Sequence, residues 1–187
     1  MTANVSPSTK IPSDLTPLAR AHHARRSRMA RASSIGLWLL VIFGGLLSGG
    51  ALYELVVTLP LWFGALPASV TAWRHGVIQA PFFMIVTNGW ALMSIVVFAL
   101  SFAMPRPVRL WARIPGVLGV VTLVWTMVFF VPLLMKTQAN RGAGLSGEEI
   151  TRYATQWINW NYVRLGLVAG AWLASIRALV VASRSED

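Results

Sequence analysis

The chain has 187 residues, of which 56% are hydrophobic and only 12% are charged. A water-soluble domain ordinarily carries about 25% charged residues, so this composition cannot cover a core with polar surface, and lipid is the expected solvent. The formal charge of +10 does not point to nucleic acid, because the basic residues gather near the N-terminus and at the flanks of apolar runs, as membrane topology demands.

Residues 1–34 are rich in Ser, Pro, Ala and Arg and show no periodic apolar stripe. They are expected to form a disordered basic tail, able to touch anionic lipid headgroups. Arg25-Arg26 precedes an apolar run, but no small-residue cleavage site follows that run, so the first span is expected to be retained.

Four apolar runs follow, at about 35–59, 76–103, 114–135 and 160–182. Each is long enough to cross a hydrocarbon core of roughly 30 Å. Backbone groups in lipid must bond internally, so each run is expected to be a helix. The fold class is therefore an all-α, integral membrane four-helix bundle over residues 35–182, closed by a short tail at 183–187. Prolines punctuate the runs: Pro60 and Pro67 after the first, Pro105, Pro107 and Pro115 around the link from the second to the third, and Pro132 near the end of the third.

With the N-terminus inside, eleven of the 16 basic residues fall on inner segments and four on outer ones, while Arg164 lies within a span. That bias predicts both termini in the cytoplasm, and the composition suggests a bacterial inner membrane. The end of helix one, the start of helix two, the end of helix three and the start of helix four then share the outer face.

The polar residues that need explaining lie at those same ends. Glu54 is the only acid within a span, six residues before Pro60 and so about 9 Å below that end of the helix. A carboxylate at this depth must be paired, protonated or hydrated. Arg164, a turn or so inside helix four, is its natural partner, and Trp157, Asn161 and Arg164 share one helical face by their spacing. The pair could be a structural bridge, or it could line a ligand pocket. His75 and Gln79 sit one turn apart at the entrance of helix two, where His75 could be an interfacial histidine or a proton carrier. Asn88 is expected to be buried in helix two and to hydrogen-bond across helices.

Gly45 with Gly49, and Gly166 with Gly170, form two small-xxx-small pairs that read as close helix packing and permit an oligomer. Trp62, Trp73, Trp111, Trp157 and Trp160 read mostly as interface anchors. Cysteine is absent, and Glu54 and His75 supply at most two metal ligands, so no metal or other cofactor is expected.

The segment Trp157-Ile158-Asn159-Trp160-Asn161-Tyr162-Val163-Arg164 resembles the W-x3-N-x2-R signature of the anthrone-oxygenase-like family of small four-helix membrane proteins. Tyr53-Glu54 with Pro60, and Val131-Pro132-Leu133, are similar to further family features, although Leu134 stands where the family's V-P-L-N has Asn. The resemblance implies a cofactor-independent membrane oxygenase acting on a lipophilic aromatic or quinone-like molecule. Glu54 or His75 would be the base, Arg164 and Asn161 would hold an oxyanion, and Trp157 would stack on the ring; Gln79, by its place one turn from His75, is a further candidate ligand-binding residue. The alternative is a non-catalytic accessory subunit or small transporter component, consistent with the small size, short loops and absence of a strong catalytic motif.

Overall fold

The computed structural model describes residues 17–69, 75–139 and 144–184. The chain forms four helical rods. The first joins α1 (Pro17–Tyr53), a π-helical turn (Glu54–Thr58) and α2 (Leu59–Phe63). The second is α3 (His75–Ser101). The third joins α4 (Arg106–Trp125), a π turn (Thr126–Phe130), α5 (Val131–Leu134) and a further π turn (Met135–Ala139). The fourth is α6 (Gly147–Ser183). All four rods are long and apolar enough to cross a membrane.

The rods form a four-cornered ring: α1 packs on α3 and α6, and α4 packs on the same two neighbours. Two apolar clusters show the alternating direction of the rods. One joins Leu37 and Leu40 to Met104, Val108 and Ala178, at the end that carries both described chain termini. The other joins Leu59 and Trp62 to Phe130, Leu133, Ile150 and Trp157, at the opposite, loop end. Outside the ring, Val56, Leu61, Ile85, Leu92, Val128 and Leu173 each leave more than half of their surface uncovered. A belt of that kind suits acyl chains and not water. Away from that belt, the buried Ser94, Thr137 and Ser175 and the half-buried Thr126 turn their hydroxyls back onto carbonyls of their own helices, so no donor is left unpaired in the apolar interior at these positions. Trp172 ties two rods together, its Nε1–H donating to the Val41 carbonyl at 3.1 Å.

Several helices start earlier than the apolar runs. Residues 17–34, expected to be disordered, continue α1 instead. This Ala- and Arg-rich stretch consists of strong helix formers, and it extends a helix that is already nucleated. The third rod begins at Arg106 rather than at the expected 114, with Pro107 in its first turn, and runs through Pro115. The fourth begins at Gly147 rather than 160, behind a capping box in which Ser146 Oγ accepts from the Glu149 amide and the Glu149 carboxylate accepts from the Ser146 amide. Ser146→Ala should therefore lower stability by about 1 kcal/mol. Thermal unfolding in detergent would show it, and an unchanged midpoint would mean that the first turns of α6 frays without consequence.

The prolines account for two of the π turns. A proline within a helix drives its ring against the carbonyl four residues back. Ahead of Pro60 the helix widens, so that the Leu59 amide reaches back to the Glu54 carbonyl. Ahead of Pro132 it widens in the same way, with the Val131 amide reaching the Thr126 carbonyl. On α1 the buried positions 37, 40, 44, 47 and 51 advance in steps of three and four; across and beyond the π turn Thr58, Leu59 and Trp62 are buried and Leu61 is exposed, so the stripe broadens there and still faces the core.

The glycine expectation is corrected. Gly45 lies against Trp172, but a Cβ on Gly49, Gly166 or Gly170 would meet nothing within 4 Å. The close approaches lie elsewhere: Gly89 against Phe43, Gly116 against Phe98 and Gly119 against Ser94. Asn88 is exposed and not buried between helices. Its position on α3 puts it two residues beyond the core-facing Val86 and two before Trp90, off the buried stripe.

Candidate functional site

The site is built where the first, third and fourth rods meet at the loop end. The π turn before Pro60 carries Glu54 on its first residue. On α6, Asn161 stands one turn before Arg164, and both turn toward Glu54. The Asn161 side chain approaches the Glu54 carboxyl closely enough to hydrogen-bond it, and the Arg164 charge acts on the same carboxyl. Glu54, Asn161 and Arg164 thus share one neighbourhood, in which Asn161 approaches the carboxyl and Arg164 acts on it by its charge, with no ion pair within 4 Å closing between the two charged side chains.

The third rod contributes an aromatic wall. The Arg164 guanidinium lies over the Phe130 ring, 4.7 Å from its centroid. Such a contact holds a cation at low desolvation cost, because the ring face is negative. Phe130 was not legible as a site residue: nothing in the order of residues links it to Arg164, and its placement depends on the π turn that ends at that position. Trp62 and Phe130 also meet Trp157 edge-on, at 5.2 and 6.1 Å between centroids. Trp157 is therefore committed to the bundle interior, as is Trp62, and neither is an interface anchor. Any ring stacking on Trp157 would have to replace one of these partners. A second aromatic group joins Trp125, Phe129 and Trp160.

Buried polar atoms are left over here, among them Trp125 Nε1 in the second aromatic group and one atom of the polar trio itself. Asn161 is buried, and its Oδ1 has no hydrogen-bond partner. An acceptor of this kind in an apolar interior costs about 1–3 kcal/mol unless a donor reaches it. The space that Gly50 leaves on the first rod is filled by Phe82, whose ring would lie 2.8 Å from an added Cβ. The side chains of His75 and Gln79 lie outside the described residues, as does Trp73. Among the described residues no group of three or more His, Asp or Glu could hold a metal ion. A cleft of about 740 Å³ opens at the terminal end of the bundle, on the far side from Glu54.

Comparison of the chain with family models, with curated proteins and with solved structures finds no match. The geometry of the bundle and its polar trio is therefore the basis for a functional reading.

Proposed function

We propose that this membrane protein binds a lipophilic aromatic or quinone-like molecule beside Glu54, Asn161 and Arg164 and acts on it as a cofactor-independent oxygenase. The observation that carries the reading is the convergence of these three polar side chains, at a π turn, inside an otherwise apolar bundle end. Turns of this type recur at functional sites. The open acceptor on Asn161 suits a phenolic or enolic hydroxyl.

The chemistry required is modest. The ring C–H of an anthrone-type substrate is acidic, so a carboxylate can remove its proton and leave an electron-rich carbanion. The carbanion takes up O2 to give a hydroperoxide, and loss of water leaves the quinone carbonyl. Glu54 would take the proton, with His75 the other candidate base. Arg164 and Asn161 would hold the oxyanion that forms on the neighbouring ring oxygen. On this reading the termini are cytoplasmic, the membrane is a bacterial inner membrane, and the site opens to the outer leaflet.

A second reading, a non-catalytic accessory subunit or small transporter component, is favoured by the packing of Trp62, Phe130 and Trp157 against one another. Ligand retention separates the two. Wild type, Glu54→Gln and Arg164→Ala would be purified in mild detergent and their extracts analysed by mass spectrometry. The oxygenase reading expects a small aromatic or quinone-like molecule with wild type that is lost from both variants. An empty wild type, beside variants that only unfold at lower temperature, would make the trio structural and put the accessory reading first.

A further inference from the structure

We propose that the cleft at the terminal end of the bundle is a binding site for one anionic phospholipid of the surrounding leaflet. It is separate from the Glu54 site and does not depend on how that site is read. The cleft encloses about 740 Å³, within the roughly 300–1,000 Å³ usual for small-molecule sites.

One wall is a single face of α1. Its lining positions, from His22 to Leu37, advance in alternating steps of three and one, the spacing of one helical face, and cover about 22 Å of helix axis. The side chains change character along that length. His22, Arg25 and Arg26 are exposed at the outer rim. Ser33 and Ser34 follow, half-buried. Leu37, at the bottom, is 1% exposed. The facing wall is the turn from α3 to α4, where Met104 and Val108 are buried. That turn is held in place by Arg109, whose Nε and Nη2 both donate to the Met104 carbonyl at 3.2 and 3.0 Å.

Cation, then hydroxyl, then hydrocarbon is the order in which a phospholipid presents phosphate, glycerol esters and acyl chain. The charge also fits. The acids among the described residues are Glu54, Glu148 and Glu149, all toward the other end, so Arg25 and Arg26 face a leaflet and not a carboxylate of the described chain. Leu37 and the apolar floor belong to the membrane-crossing part of α1 and the basic rim lies just beyond it, at headgroup level, so a bilayer would present lipid to the cleft mouth at high local concentration. A free phosphate could use the rim but would leave the hydroxyl and apolar floor unused.

The test uses the full-length protein in mild detergent and native mass spectrometry with added phosphatidylglycerol, phosphatidylcholine or inorganic phosphate. Arg25→Gln/Arg26→Gln should weaken phosphatidylglycerol binding by about 30-fold, the combined loss of two basic contacts to an anionic headgroup. Arg28→Gln/Arg31→Gln removes the same charge from positions on α1 that do not line the cleft, and should bind nearly as wild type does. Arg25→Lys/Arg26→Lys should restore most of the affinity, which separates a binding defect from a folding defect. Equal losses from the two Gln pairs would replace the site with diffuse surface charge. Equal retention of phosphatidylcholine, or complete displacement of the lipid by inorganic phosphate, would also overturn the proposal.

Discussion

Arg164→Met should destabilise the bundle by about 1–3 kcal/mol, because it withdraws the cation whose charge acts on the buried Glu54 carboxyl. The substitution keeps much of the side-chain volume and removes the cation that lies over Phe130. The expected remedy is as informative as the damage. Adding Glu54→Gln in the same chain removes the stranded charge and should recover most of the loss, since replacing both members of a buried pair is often nearly neutral. The measurement is reversible unfolding in mixed micelles for the two single variants and the double. A penalty below about 1 kcal/mol for Arg164→Met, the size of a surface pair, would mean that Glu54 does not depend on Arg164. In that case the two residues meet without being coupled, and the site reading would have to be rebuilt around Asn161 alone.

Gly119→Ala should be the most damaging of the conservative glycine changes, at about 1–3 kcal/mol. An added Cβ would overlap Ser94 Oγ and Cβ on α3. Both atoms sit close to the helix backbone, so a rotamer change cannot clear the space. Ser94 is fully buried and its hydroxyl donates to the Trp90 carbonyl, which further limits how it can move. Gly170→Ala is the contrasting control. Nothing lies within 4 Å of its added Cβ, so the change should be neutral or gain up to about 1 kcal/mol from helix propensity. Thermal unfolding of both variants at two protein concentrations would decide the matter. If Gly170→Ala instead destabilised in a concentration-dependent way, Gly166 and Gly170 would belong to an interface between copies of the chain.

Membrane character and the number of spans were legible in the sequence because they depend on summed hydropathy over some twenty residues. The placing of Glu54, Asn161 and Arg164 at one end of the bundle was legible for a related reason. A lone acid and a lone base in apolar spans have few places to go, and the span order put both at one end of the bundle. The helix starts were less visible. The α1 extension has no apolar stripe, because beyond the membrane no core exists to demand one; its helicity comes from Ala and Arg and from the helix already formed behind it. The capping box at Ser146 and Glu149 was present in the sequence as a Ser-x-x-Glu signature, but the hydropathy boundary at 160 hid it. Glycine spacing misled because a small-xxx-small pattern says only that two helices could approach, not which ones do. In this bundle the approach is set by Gly116 and Gly119 against Phe98 and Ser94. Phe130 was not legible at all, since its position against Arg164 is a product of where the third rod widens.

The widening on the first rod also ties the acid to a proline. The Glu54 carbonyl accepts the Leu59 amide in the wide turn that forms ahead of Pro60, so the residue that carries the buried carboxyl is also one that accommodates the proline ring. A change at Pro60 would therefore reach the polar trio through the backbone, without touching any of its side chains.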